Sequence, residues 1–254
     1  MQIGVHITYN HELQEKFMKT HRDPNYYFTV LLNAVSKGNV SISHKSYGCL
    51  KMPQPVLQKS DDIENVTMSK RQVFEQVKKY YAKNRYNLNC PDAAFYVTWS
   101  YFMESEKDEA SWLDTAKRGG LCEDDGVGMF YDDGETFLGA HALSRELAFL
   151  IGATRDNLTY GDCSKKLGYL TSRLDDTTSF RLSRCARANI TRYFLSNQQK
   201  SCWNDAPAAV IPNNWTLPSG YLEEALINGS IDLCTSHLFY INDVRSCSVS
   251  DTSH

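Results

Sequence analysis

Six residues in one short stretch set the chemical question. Arg145, Glu146, Phe149, Gly152, Arg155 and Asp156 all lie in "HALSRELAFLIGATRD", residues 141–156. On a helix, positions 145 and 149 stand one turn apart on a shared face. Gly152 permits a left-handed exit that carries Arg155 and Asp156 back beside that face. The spacing suits a metal-ligand constellation, but the side chains do not. Zinc takes imidazole, thiolate or carboxylate, and here guanidinium, phenyl and guanidinium occupy positions 145, 149 and 155. Leu143, Leu147, Leu150 and Ile151 form the apolar stripe that packs this helix onto a core. A buried carboxylate needs partners, which leaves two readings. Either Phe149 fills volume while Arg145 or Arg155 pairs with Glu146 or Asp156, or both arginines point to solvent. His141, one turn before Arg145, reads as a structural or surface residue.

The elements that must position this helix follow from periodicity. "IGVHITY" alternates as a strand, and "NHELQEKFMKTH" reads as a short helix. "DPNYYFTVLLNAVSKG" opens on Asp23–Pro24 and closes on Gly38, with Tyr27, Val30, Leu31, Ala34 and Val35 at helical spacing. "NVSISHKSYGCL" is a second strand. "TMSKRQVFEQVKKYYAKN" is a helix with Val73, Phe74, Val77 and Tyr81 on one face. "DAAFYVTWSYF" is a continuous apolar run that suits a strand buried on both faces, and "DGVGMFYDDGE" adds a short one. Strand, helix, strand, helix, strand predicts a largely parallel α/β sheet with right-handed crossovers. After residue 155 come loops, cysteines and one more helix near "RCARANITRYFLSN". The segment beyond Trp203 is rich in Pro, Asn and Ser.

Composition narrows the class. The 254 residues are 42% hydrophobic and 22% charged, with a net charge of -3 and no basic stripe, so neither a nucleic-acid nor an anionic-membrane footprint is expected. No apolar run reaches bilayer length. Eight cysteines without a CxxC pair suggest disulfides in an oxidising compartment, with buried thiols the alternative. Sequons stand at Asn39, Asn65, Asn157, Asn189, Asn214 and Asn228, against about 2.5 expected by chance. Together these signals predict a secreted glycoprotein. The acidic "CEDDG" and "YDDGE" lack EF-hand spacing and read as solvated turns. No nucleophile elbow or phosphate loop is present.

"SRELAFLIGATRD" resembles the metzincin signature H-E-x-x-H-x-x-G-x-x-H followed by Asp, the mark of reprolysin (adamalysin/ADAM-like) zinc proteases. The three histidine positions are Arg145, Phe149 and Arg155, whereas Glu146, Gly152 and Asp156 match. "GLCEDDGVGMFYDDGETFLGAHALSRELA" is similar to the family's cysteine-containing strand and loop before the zinc helix. "GYLTSRLDDTTSFRLSRC" is similar to its Met-turn stretch, with Thr171 where methionine belongs. The resemblance spans roughly residues 1–203 and is nearest to secreted salivary and venom forms of arthropods.

The resemblance implies a twisted, mainly parallel five-stranded sheet with flanking helices and a small disulfide-rich lower subdomain. The (pseudo)catalytic domain would be residues 1–203, divided into an upper region (1–152) and a lower subdomain (153–203). A cysteine-containing extension would occupy 204–254. It implies disulfides Cys122–Cys202 and Cys163–Cys185; Cys49–Cys90 and Cys234–Cys247 are only what remains. Glu146 would be a vestigial general base, since without zinc a water stays near its bulk acidity. No zinc is expected, although the family's structural calcium is compatible with the chain. The expected function is a secreted pseudoprotease that binds a protein partner, of host haemostatic or immune type, through the former cleft by strand addition. The alternatives are an active zinc metalloendopeptidase and an enzyme of replaced chemistry built on Glu146, Asp156 and the arginines.

Overall fold

The computed structural model describes residues 2–36, 41–49, 70–88, 90–99, 115–156, 160–172 and 179–198. By internal compactness the chain divides into Met1–Thr216 and Leu217–His254, and all the structure below belongs to the first unit.

Strand β1 (Gln2–Tyr9) leads into helices α1 (His11–Lys19) and α2 (Pro24–Ser36), then strand β2 (Ser41–Cys49). Helix α3 (Lys70–Asn84), strands β3 (Ala93–Thr98) and β4 (Val127–Tyr131), and helices α4 (Ala140–Leu150) and α5 (Arg184–Ser196) follow. The strands form one sheet in the order β2-β1-β3-β4, and every pairing is parallel. The α/β class and parallel pairing are as the alternation of elements requires. The described residues hold four strands, where the resemblance implies five.

The sequence explains the elements locally. Asn10 caps α1, its side chain accepting from the Leu13 amide at 3.1 Å. Pro24 opens α2, where the missing N–H costs nothing, and Asp23 accepts from the Asn25 amide. Period-two alternation in β1 sends Val5, Ile7 and Tyr9 to one face, packed on Leu13, Phe17, Phe28 and Leu31. His6 and Thr8 go to the other face, where Tyr81 of α3 meets both. All of β3 is buried, which is why it carries no polar alternation.

The register corrects one disulfide. Cys49 pairs in register with Tyr9, and Tyr9 with Val97. Cys90 lies seven residues before Val97, on the order of 20 Å back along the sheet. A disulfide needs Cα atoms within roughly 7 Å, so parallel pairing puts Cys49 and Cys90 at opposite ends and excludes Cys49–Cys90. Cys163 and Cys185 are bonded, with Cα atoms 5.8 Å apart. Cys122 is also disulfide-bonded; Cys202, Cys234 and Cys247 lie outside the described residues.

Candidate functional site

Helix α4 begins where a buried carboxylate holds its first turn. Gly139 is its N-cap, and the Gly139 amide donates to Asp132 Oδ2 at 2.8 Å. Tyr27 Oη and the Gly134 amide both donate to Asp132 Oδ1 at 2.7 Å. Asp132 has no exposed surface. Burial pushes its carboxyl up to about 6, against the opposing pull of the Tyr27 hydroxyl, and the Tyr27 hydroxyl is itself pushed up, first by burial and then by Asp132. The expectation that "YDDGE" is a solvated turn is thus corrected at Asp132: a left-handed Phe137, φ 59°, stacks on Tyr27 with ring centres 4.4 Å apart and closes the loop over it. Asp133 does shape a turn, accepting from the amides of Glu135 and Thr136.

Leu143, Leu147, Leu150 and Ile151 face the core as the stripe requires. Glu146 is fully buried. Among the described residues its carboxylate accepts from the Thr115 amide (3.0 Å to Oε1, 3.1 Å to Oε2), the Thr115 hydroxyl (2.9 Å) and the Ala116 amide (2.6 Å). It reaches β4 because position 128 is glycine: a Cβ there would lie 3.2 Å from Glu146 Oε2 and 2.7 Å from the Phe95 ring.

The chain that holds Glu146 then follows α4 toward its C-terminus. Arg118 Nε donates to the Gly152 carbonyl at 3.0 Å. The amides of Gly119 and Leu121 donate to the carbonyls of Phe149 and Leu150 at 2.9 and 3.3 Å. Residues 115–121 therefore satisfy C-terminal carbonyls of α4 that the helix cannot satisfy itself.

The three positions that the resemblance assigns to zinc ligands are placed as follows. Phe149 is buried among Ala148, Ala153, Leu170 and Ala186, filling volume as expected. Arg145 is 7% exposed, so it does not point to solvent, and Arg155 is half-buried. Gly152 has φ 102°, and a Cβ there would meet Tyr193 at 2.5 Å. The left-handed exit and the close approach of α5 both require glycine. Asp156, 2% exposed, accepts from Thr171 Oγ1 at 2.7 Å and Ser183 Oγ at 2.6 Å. Ser183 is also the N-cap of α5. His141 lies within 3.2 Å of the Ser179 carbonyl and edge-on to Phe180, a structural placement.

The contacts described at Glu146 and Asp156 differ from the expected pairing with an arginine. Among the described residues, the hydrogen bonds to both carboxylates come from neutral amides and hydroxyls. Such donors are fixed by the backbone and cost no long-side-chain entropy to hold in place. Of the sequons, Asn189 lies on α5, where Nδ2 donates to Thr154 Oγ1 at 2.7 Å. Asn39, Asn65, Asn157, Asn214 and Asn228 lie outside the described residues. Among those residues, no helix is long and apolar enough to cross a membrane.

No curated protein matches the chain. Among solved structures, one titled "Structure of a chaperone-substrate complex" is similar at 11% identity and a TM-score of 0.42. The match covers 63% of this chain and 24% of that one, so this chain spans about a quarter of its length. A family model does match: that of the reprolysin (M12B) family zinc metalloproteases, over residues 56–207. That span is more than half of the chain and includes α4, residues 115–121 and the Asp156–Thr171 tie, and the protein therefore belongs to the reprolysin (M12B) family.

Proposed function

We propose that this family member is a catalytically inactive, secreted pseudoprotease that acts by binding a protein partner. The observation that carries the reading is Glu146. In a zinc protease of this motif the glutamate must touch the water it activates, whereas here it has no exposed surface and Thr115 and Ala116 occupy its carboxylate.

The donor set points the same way. Arg145, Phe149 and Arg155 offer no zinc ligand, and Phe149 is packed against Leu170 and three alanines. These residues do not fit a catalytic zinc. The Cys163–Cys185 bond, the disulfide-bonded Cys122 and six sequons support an extracellular setting, where disulfides persist. A host haemostatic or immune protein is the partner class in keeping with that setting.

Elemental mass spectrometry of the purified glycoprotein, beside cleavage of a denatured protein with and without chelator, tests the reading. The expected result is no stoichiometric zinc and no cleavage, followed by capture of a partner from host plasma. Zinc at one per chain with chelator-sensitive cleavage would overturn it in favour of an active metalloendopeptidase.

A further inference from the structure

Helix α5 and the chain before it gather positive charge that is scattered along the sequence. Residues 160–198 carry seven Lys and Arg against three Asp, in a protein whose net charge is -3. No run of the sequence shows these cations as a stripe, because they come from two segments. The Cys163–Cys185 bond joins the two, with Cα atoms 5.8 Å apart. Lys165 and Lys166 lie just beyond Cys163, in the 3-10 turn Lys165–Leu167, and Arg184 and Arg187 lie on either side of Cys185. The Leu170 amide donates to the Arg181 carbonyl at 2.9 Å, which ties Arg181 to the same place.

The arginines of α5 face outward. Ala186 is buried and Ile190 packs beside it, while Tyr193 turns toward Gly119 and Gly152. With about 3.6 residues per turn, the opposite side of the helix bears Arg184, Arg187 and Arg192, spread over about 12 Å of its axis. All three are exposed, as are Arg181 and Lys166, and Lys165 is half-buried. Among the described residues, the one carboxylate that pairs with this set is Asp162, 3.9 Å from Arg184, and the two side chains are 78% and 82% exposed. A pair so long and so exposed contributes little. Like charges held together on a fixed frame repel, and a polyanion that displaces their counterions relieves the repulsion.

We infer that this face binds a sulfated glycosaminoglycan, the linear polyanion of cell surfaces and extracellular matrix. The surface is separate from the contacts of Glu146 and takes from the reading above only its extracellular setting. Four of the six cations are arginine, whose planar, weakly hydrated guanidinium can take two oxygens of one sulfate. The three on α5 are strung along an axis, which matches an extended chain of repeated charges better than a single small anion. The disulfide and the Arg181 tie hold the backbone beneath them in advance, so the ordering cost of binding falls on the side chains. The rest of the chain is net negative, which confines the polyanion to this face.

Binding of the full-length glycoprotein to immobilised heparin, with Kd read against salt, tests the surface. The wild type should stay bound at about 0.15 M salt and should bind fully desulfated heparin at least tenfold more weakly. The triple variant Arg184→Gln, Arg187→Gln, Arg192→Gln should lose at least tenfold in affinity, and its salt slope should fall by about one per cation removed. The triple variant Arg71→Gln, Lys79→Gln, Lys83→Gln takes the same charge from α3 and should bind as wild type. No retention of the wild type at that salt overturns the surface whether or not either variant folds. Equal loss in the two triple variants overturns it in favour of net charge alone, and equal affinity for single-stranded DNA of matched length overturns the sulfated ligand. None of these measurements reads zinc or cleavage, so failure here and failure of the pseudoprotease reading are told apart.

Discussion

Thr171 donates its hydroxyl to Asp156 at 2.7 Å, deep in the molecule where Thr171 has no exposed surface and Asp156 has 2%. Thr171, which the resemblance sets at the Met-turn, is a polar tie. With Ser183 on the other oxygen, the pair fixes the chain leaving α4 against the start of α5. Replacing Thr171 by valine leaves a buried carboxylate short of one donor, which costs about 1.5–3 kcal/mol for a bond to a charged group. Thr171→Met loses the same bond and overfills the site, so it should be worse than valine. Urea unfolding of the three proteins, read at constant m, checks the order.

Gly152 and Tyr193 should be coupled. A Cβ at 152 meets Tyr193 at 2.5 Å on a backbone with φ 102°, so Gly152→Ala carries both strain and a clash, together about 2–4 kcal/mol. Tyr193→Gly, which takes away the Tyr193 Cβ that lies at 2.5 Å as well as the ring behind it, removes the clash and leaves the strain. In a double-mutant cycle the two changes should therefore fall short of additivity by at least ~1 kcal/mol, and strict additivity would show that α5 does not press on this exit.

Asp132 gives stability a distinct dependence on pH. Its carboxyl rises from the ordinary 3.8 to about 6 through burial, so the folded state holds a proton that the unfolded chain releases sooner. The contribution is complete below about pH 4 and is lost as pH rises through 6. About two units at 1.36 kcal/mol each is about 3 kcal/mol. Denaturant midpoints measured from pH 4 to 7 should fall across that window, and Asp132→Asn should flatten the fall. An unchanged slope in the variant would assign it to other groups.

Asn189 should carry no glycan although its sequon is intact. The nitrogen that would be modified donates to Thr154 at 2.7 Å, across the α5 contact with the exit from α4. Glycopeptide mapping should find this site bare, and Asn189→Gln should cost about 1 kcal/mol without changing glycan mass.

The sequence shows the scaffold far better than the site's wiring. Helix periodicity places Leu143, Leu147 and Leu150, alternation places Val5, Ile7 and Tyr9, and Gly152 announces the left-handed turn, because each is a local rule. Glu146 is different. Its partners at 115 and 116 lie about 30 residues upstream in "SWLDTAKRG", which has no period, cap or motif, and backbone amides leave no trace in residue type. Charge complementarity suggests arginine instead, and the structure answers with neutral groups. Asp132 misleads for a related reason: an acidic run looks solvated until Tyr27, 105 residues away, is known to cover it. Pairing Cys49 with Cys90 by elimination fails because strand direction, which decides the distance, is a property of the whole sheet.

The contact of residues 115 and 116 with α4 also bears on how cheaply the chain closes. Their contacts with Glu146 span 30 and 31 residues, whereas the Asp92–Gly4 bond that sets β3 beside β1 spans 88. Closure entropy grows as (3/2)RT ln n, so the shorter loop has an advantage of about 1 kcal/mol before any packing is counted. Closing residues 115–121 onto α4 thus costs less chain entropy than setting β3 beside β1, so this end of the molecule does not depend on the 88-residue closure.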